Sequence, residues 1–124
     1  MTGSKTEREE MDEKDCIFCK IVRKELDSKV VYEDDEVLAF EDINGRAPVH
    51  VLVIPKQHVA NLEEVGSLPD AVTKRLFEVS SEVAGKLGVT EGGYAVRVNN
   101  GSDAGQEIFH LHLHVIGGKK LGMP

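Results

Sequence analysis

The sequence predicts an α+β domain built from one antiparallel sheet of five strands, one long helix and one short helix. Short apolar segments separated by turn-forming residues favour strands that pair with their neighbours in antiparallel fashion. One segment has helical periodicity instead, because apolar residues between positions 72 and 87 recur at steps of three or four. The 124 residues are enough for one domain with a single core.

The first predicted elements are a short helix and a β-hairpin. Residues 17–22 carry apolar side chains at helical spacing, which predicts a helix. Residues 29–33 and 36–40 have the composition of strands, and Asp34-Asp35 between them is typical of a tight turn. These two strands are therefore expected to form a hairpin.

A third strand and the long helix follow. The apolar run at 49–54 predicts a strand that Pro55 ends, because proline cannot donate to a sheet ladder. Pro69 opens the long helix and Gly88 ends it, since proline is favoured at the start of a helix and glycine directly after its end. We expect this helix to cover one face of the sheet.

Two more strands, at 94–98 and 108–116, complete the predicted sheet. The loop between them contains Gly101 and Gly105, whose missing side chains let backbone N–H groups approach an anion closely. The same loop carries polar side chains that could donate hydrogen bonds to that anion: Asn99, Ser102 and Gln106.

Composition argues against two classes of protein. The formal net charge is −7 and no basic stripe with interleaved aromatic residues is visible, which argues against a nucleic-acid binder. No apolar run approaches the roughly 20 residues of a membrane-spanning helix.

Acidic residues dominate positions 1–14, which we predict to be a disordered tail, so the folded domain is expected to span 15–124. No secretion signal is visible, and we therefore expect a cytoplasmic protein.

Cys16 and Cys19 form a C-x-x-C pair at the start of the predicted domain. Thiols stay reduced in the cytosol, so a structural disulfide is not expected. A metal site and a pair of buried thiols are both consistent with the sequence.

The main candidate site lies near the end of the chain. His110, His112 and His114 alternate with apolar residues, so a strand would place three imidazoles on one face and Leu111 and Leu113 on the other. Such a face permits two chemistries. Imidazoles can hold a catalytic zinc ion, or one neutral imidazole can attack phosphorus while its neighbours bind the phosphate. The glycine-rich loop favours phosphorus chemistry, and the C-x-x-C pair favours a metal.

The run from His110 to Ile116 has the pattern H-x-H-x-H followed by two apolar residues, and it resembles the signature of the histidine triad family of nucleotide hydrolases and transferases. Further landmarks of that family occur in the same order: Cys16-Ile17-Phe18-Cys19, Asp42-Ile43, Ala47-Pro48-Val49-His50, Val53-Ile54-Pro55-Lys56, Asn99-Asn100-Gly101 and Gly105-Gln106. Gly117-Gly118 and the ending Leu121-Gly122-Met123-Pro124 resemble the nucleotide-binding (Hint) branch of bacterial type.

The resemblance implies a purine nucleoside phosphoramidase, which cleaves the P–N bond of adenosine 5′-phosphoramidates to give AMP and an amine. It makes His112 the nucleophile and His114 a contact of the α-phosphate, and it places His110 in a buried hydrogen-bond relay that includes His50. It implies a nucleotide site whose other members are Ile17, Phe18, Ile43 and Leu52 at the purine, Asp42 at the ribose, and Asn99, Gly105, Gln106 and Ile108 at the phosphate. The alternatives are a nucleotide-binding regulator with incidental hydrolysis and a hydrolase of dinucleoside polyphosphates.

A structural zinc site is also implied, because some bacterial relatives that carry Cys-Ile-Phe-Cys hold this metal. The ligands would be Cys16, Cys19, His50 and His110, and catalysis itself would need no metal. The fifth histidine, His58, is interpreted as a solvated loop residue.

Two further expectations come from the resemblance. Glu107 stands where animal members carry serine, beside the expected leaving group, and a carboxylate there would attract a cationic amine. Family members of this type pair through the long helix and a strand edge, which implies a homodimer with one continuous ten-stranded sheet. The strand at 94–98 could supply that edge.

Overall fold

The computed structural model describes residues 14–122 of the chain. Its helices and strands are, in chain order, α1 (Ile17–Val22), β1 (Val30–Glu33), β2 (Val37–Glu41), β3 (Val49–Pro55), α2 (Asp70–Lys86), β4 (Tyr94–Arg97) and β5 (Leu113–Gly117). Two short 3-10 helices, which were not predicted, lie at Leu62–Ser67 and Ser102–Ala104. The predicted tail at 1–14 lies, apart from Lys14, outside the described residues.

The predicted α+β class is confirmed. The strands form one antiparallel sheet in the order β1-β2-β3-β5-β4, so β1 and β4 are its edges and β5 lies inside it. His114 of β5 lies opposite Leu52 of β3 on one side and Arg97 of β4 on the other. Among the described residues, no helix is long and apolar enough to cross a membrane.

Alternation along the central strands builds two separate apolar clusters. In β2, Val37 and Ala39 belong to one cluster, whereas Leu38 and Phe40 belong to the other. Helix α2 covers the first face with its apolar stripe, as predicted. Helix α1 packs on the second face through Phe18. Because α1 has only six residues, part of the second face remains open for a site.

The predicted strand at 108–116 is shorter in the structure, because only Leu113–Gly117 pairs as β5. The residues before it leave the ladder, and the Leu111 N–H instead donates to the Val59 carbonyl at 2.7 Å. Side chains still alternate: Leu111 and Leu113 lie in the cluster under α2, whereas the rings of His110 and His112 contact Phe18 of α1. The three imidazoles therefore share one face, although two of them precede the strand.

Candidate active site

His112 lies at the centre of the candidate site and is 8% exposed. Its Nδ1 lies 2.7 Å from the carbonyl oxygen of His110, which can only accept, so Nδ1 carries the proton. The lone pair of the neutral ring is therefore on Nε2. The hydrogen bond of His112 is made by Nδ1, which leaves Nε2 without one. Because no fully buried side-chain nitrogen in the described part of the chain lacks a hydrogen-bond partner, Nε2 is not fully buried. His112 lines a cavity, so Nε2 is accessible from that cavity.

Burial keeps this ring neutral. It lowers the pKa of His112 below the usual value of 6.5, and the hydrogen bond to the His110 carbonyl opposes that shift only in part. Phe18 packs edge-to-face on the ring with centroids 5.2 Å apart, and the His114 ring lies 4.9 Å away. A neutral, oriented imidazole with an accessible Nε2 has the properties of a nucleophile at pH 7.

His50 and His114 form a hydrogen-bonded pair beside His112. The Arg46 backbone N–H donates to His50 Nδ1 at 3.0 Å, so the proton of His50 is on Nε2. That Nε2 donates to His114 Nδ1 at 2.9 Å and lies 3.4 Å from Asp42 Oδ2. Because His114 Nδ1 accepts this hydrogen bond, the proton of His114 is on Nε2, which can donate a hydrogen bond to an anion. This hydrogen-bond pattern also explains why Asp42, His50 and His114 lie as close together as metal ligands do.

Both members of this pair are neutral at pH 7. Burial, followed by the charges of neighbouring imidazoles, lowers the pKa of His114 to about 4. Burial also lowers the pKa of His50, although the Asp42 carboxylate opposes that shift. His114 is therefore a neutral hydrogen-bond donor with a fixed tautomer.

A cavity of about 920 Å³ opens beside these rings. Eleven of the twelve predicted substrate-binding residues line it: Ile17, Phe18, Asp42, Ile43, Leu52, Asn99, Gly105, Glu107, Ile108, His112 and His114. Ile43 is 93% exposed, which is unusual for an isoleucine and is consistent with a surface that a ligand covers. The cavity thus joins apolar side chains, several carboxylates that include Asp42 and Glu107, and the three imidazoles of His50, His112 and His114.

Gln106 is the exception, because its side chain does not lie on the cavity wall where the resemblance placed a substrate contact. Its side chain is 2% exposed and is not part of the cavity wall. Both of its N–H donors are used by backbone carbonyls, and its oxygen accepts the Gly101 N–H. A side chain whose polar groups are used in this way cannot also hold the phosphate.

A second cluster, which we call the thiol-imidazole cluster, consists of Cys16, Cys19, His58 and His110. The two Sγ atoms lie 3.4 and 3.5 Å from His110 Nδ1, and Cys19 Sγ lies 3.3 Å from His58 Nδ1. All four ligand atoms lie within 4.8 Å of one another, and the two buried cysteines form no disulfide.

The donor atoms of this cluster suit a metal ion. His110 Nε2 donates to the Pro55 carbonyl at 2.7 Å, so its Nδ1 presents a lone pair to the thiols. Burial lowers the pKa of His110 to about 4, which keeps that lone pair free of a proton. Sulfur and nitrogen ligands of tetrahedral zinc lie about 3.5 Å apart, close to the separations found here. The cluster could therefore hold a metal ion.

The expected ligand set is wrong at one position. His50 lies in the pair with His114, and His58 takes its place beside the cysteines. His58 is also not the solvated loop residue that was expected, because it is half-buried and its ring packs edge-to-face on His110 at 5.0 Å. The cause is geometric: β3 ends at Pro55, and the chain after it lies beside His110, whereas His50 lies near the other end of β3.

The predicted relay through His110 is likewise changed. The His110 side chain points into the thiol-imidazole cluster rather than toward His50, and it orients His112 through its backbone carbonyl.

Comparison with known proteins decides the family. A model of the HIT domain family matches residues 23–121. The chain belongs to this family. It is similar to a HIT-like protein of Synechococcus elongatus, with 46% identity over 110 residues that cover 89% of this chain and 96% of the relative. It is also similar to the purine nucleoside phosphoramidase of Escherichia coli K12, with 39% identity over 106 residues that cover 86% and 89%.

Solved structures of HIT proteins share the fold. A HIT family hydrolase from Clostridium thermocellum superposes with a TM-score of 0.85 at 44% identity, covering 89% of this chain and 96% of that one. The HIT domain of this chain therefore has the same fold as that solved HIT protein.

Sequence reasoning missed several residues of the cavity wall in this HIT domain, and Arg97 is the one that pairs with a histidine of the site. Arg97 lines the cavity, and its charge helps lower the pKa of His114, its cross-strand neighbour. Cross-strand partners share a face of the sheet. Pairing the strand at 94–98 with the histidine strand would have placed Arg97 on the face that carries the three imidazoles.

Proposed function

We propose that this HIT domain is a purine nucleoside phosphoramidase that hydrolyses adenosine 5′-phosphoramidates to AMP and an amine through a nucleotidyl-His112 intermediate. The observation that carries the proposal is the hydrogen bond from His112 Nδ1 to the His110 carbonyl, which leaves a neutral Nε2 facing the cavity. The name of the similar Escherichia coli protein supports the same activity.

The reaction follows from these atoms in two steps. His112 Nε2 attacks the phosphorus, the P–N bond breaks, and the nitrogen takes a proton from water as the amine leaves. Water then attacks the same phosphorus, the P–N bond to His112 breaks to release AMP, and the proton that this water loses neutralises the hydroxide left by the first step. His114 donates a hydrogen bond to a phosphate oxygen in both steps, because its Nδ1 accepts the hydrogen bond from His50 Nε2 and the proton of the neutral ring is therefore on Nε2.

The cavity supplies the nucleotide contacts. Phe18 and Leu52 offer apolar surface from α1 and β3, and Ile43 offers more from the loop after β2, which suits a purine. Asp42 Oδ1 accepts the Asn44 N–H at 2.8 Å, so the carboxylate is held in one orientation in which it can still accept the ribose hydroxyls. Asn99 lies on the wall where the phosphate would bind.

A second candidate function, hydrolysis of dinucleoside polyphosphates, is favoured by the cations on the cavity wall: Arg46, Arg97, Lys119 and Lys120. The two functions are separated by comparing AMP release from an adenosine phosphoramidate and from diadenosine triphosphate. The proposal requires the larger kcat/KM for the phosphoramidate, and a larger value for the triphosphate would overturn it.

Glu107 is proposed to select the leaving group, because its exposed carboxylate lies on the cavity wall. We expect Glu107→Ser to lower kcat/KM for a phosphoramidate with a lysine-like, cationic amine by about two- to fivefold, since an exposed ion pair contributes little more than that. Activity toward a phosphoramidate with a neutral amine should stay within about twofold. Glu91→Ser, which changes an exposed glutamate outside the cavity, is the matched control. Equal effects of Glu107→Ser on both substrates would contradict this role.

We also propose that the thiol-imidazole cluster holds a structural zinc ion with Cys16, Cys19, His58 and His110 as ligands. A closed set of four protein ligands gives the ion no position for substrate. Zinc would therefore fix α1 and His110 in place without acting on the phosphate.

A homodimer is proposed through β4, an edge strand that presents an unpaired ladder. Val96 of β4 is 40% exposed, and Phe77 on α2 is 58% exposed. Pairing two β4 strands would join two five-stranded sheets into one of ten strands. Light scattering coupled to gel filtration should give about twice the chain mass of 13.6 kDa, and a monomer mass would contradict the dimer.

A further inference from the structure

The loop before the histidine segment is closed by one buried side chain. Gln106 Oε1 accepts the Gly101 N–H at 2.8 Å, and the Gln106 N–H donates back to the Gly101 carbonyl at 3.1 Å. Two hydrogen bonds between the same two residues hold the ends of this loop together. The loop also depends on left-handed backbone at Gly101 and Gly105, with φ values of 89° and 88°.

The same side chain attaches the loop to the rest of the domain. Gln106 Nε2 donates to the Ala60 carbonyl at 2.8 Å and to the Ile108 carbonyl at 3.1 Å. Nearby, the Leu62 N–H donates to Asn100 Oδ1 at 2.7 Å. The loop is thus fixed to the segment after β3 at two points, and Gln106 makes one of them through its Nε2.

The residues next to this attachment line the cavity where the phosphate would lie. Gly105 and Glu107 flank Gln106 in sequence, and Asn99 and Ile108 complete this wall. The apolar wall comes from other elements: α1 supplies Phe18 and β3 supplies Leu52, and Gln106 hydrogen-bonds to neither. The phosphate end therefore depends on Gln106, whereas the purine end does not.

We propose that Gln106 is a positioning residue that shapes the phosphate-binding wall of the nucleotide site without touching the substrate. This inference rests on the proposed function, because it assumes that the cavity binds a nucleotide. It predicts that loss of the carboxamide weakens recognition of the 5′-phosphate and leaves recognition of the nucleoside intact.

The test compares AMP with adenosine, two ligands that differ only in the phosphate. Calorimetric Kd values for both are measured with the wild-type chain and with Gln106→Met, which keeps the length of the side chain and removes its hydrogen bonds. We expect the Kd for AMP to rise about tenfold or more, because three buried hydrogen bonds to the backbone of Gly101, Ala60 and Ile108 are lost. The Kd for adenosine should change by less than about twofold.

Controls separate positioning from general damage. Gln57→Met makes the same chemical change at an exposed glutamine with one long hydrogen bond, of 3.4 Å, and should alter neither Kd. Gln106→Asn, which keeps the amide but shortens its reach, is used if Gln106→Met does not fold. Hydrogen exchange of the Gly101 amide should accelerate in either Gln106 variant, because its acceptor is displaced.

The outcomes are distinct. A folded Gln106 variant in which the ratio of the two Kd values is unchanged would overturn the positioning role. A wild-type chain that fails to bind AMP more tightly than adenosine would overturn the proposed function instead.

Discussion

Replacing His112 by asparagine is expected to lower the rate of AMP release by about 10⁴-fold or more, because removal of a covalent nucleophile leaves only binding and electrostatic stabilisation. The asparagine amide nitrogen takes the place of Nδ1 and can still donate to the His110 carbonyl. Only the attacking Nε2 is then missing. The Kd for AMP should therefore stay within about threefold of the wild-type value, which calorimetry measures directly.

His114→Asn is the matched comparison, because it removes a neighbouring imidazole of the same face. We expect a smaller loss of rate, about 10²- to 10³-fold, since His114 contributes a hydrogen bond to the phosphate rather than a bond to phosphorus. If His112→Asn retained more than about 1% of the wild-type rate, the nucleophile would be a different group.

The pH dependence of kcat/KM tests the same residue. Burial lowers the pKa of His112 below 6.5, and the protonated ring has no lone pair with which to attack. The acid limb of the kcat/KM profile should therefore be centred below pH 6.5, the usual pKa of an imidazole. His114, with a pKa of about 4, is still neutral at pH 6.5. An acid limb centred above pH 7 would contradict the neutral, buried nucleophile.

Replacing Cys16 by serine is expected to lower bound zinc from about one ion per chain to below about 0.1. The thermal midpoint should fall by about 10 °C or more, because a structural ion contributes its binding free energy to folding. Elemental analysis gives the zinc content, and scanning calorimetry gives the midpoint. Cys19→Ser should match Cys16→Ser in both measurements, since each removes one of the two thiolate ligands.

Two histidine variants identify the ligand set. His58→Asn should lose zinc, because His58 Nδ1 lies 3.3 Å from Cys19 Sγ. His50→Asn should keep it, because His50 is bonded to His114 instead. Zinc lost from His50→Asn and kept by His58→Asn would restore the ligand set that the sequence resemblance implied. A wild-type chain that binds no zinc at all would refute the proposed site.

The elements that the sequence predicts well are those whose side chains alternate or repeat against one core. Helix α2 and strands β2 and β3 lie within one residue of their predicted positions at most ends, because each packs a regular apolar face. Strand β5 is shorter than predicted, since alternation of side chains continues through residues 108–112 while the backbone bonds elsewhere. Periodicity reports which side a residue faces and not which backbone group it pairs with.

In the candidate site too, local sequence patterns predict some relations between residues and not others. The histidine segment predicts the shared face of His110, His112 and His114 because that relation is local in sequence. The choice of His58 over His50 beside the cysteines depends on where the chain turns after β3, which no local pattern contains. For Gln106, the sequence does not distinguish a substrate contact from a buried side chain that bonds to the backbone, because both roles need a long polar side chain.

The central claim is that His112 becomes covalently nucleotidylated during turnover. Mixing the chain with an adenosine phosphoramidate, quenching at neutral or alkaline pH and mapping peptides by mass spectrometry tests it most directly. The account predicts a peptide that contains His112 and has gained one adenylyl group, and it predicts that this adduct is absent from His112→Asn. An adduct on another residue, or turnover with no adduct at any time point, would contradict it.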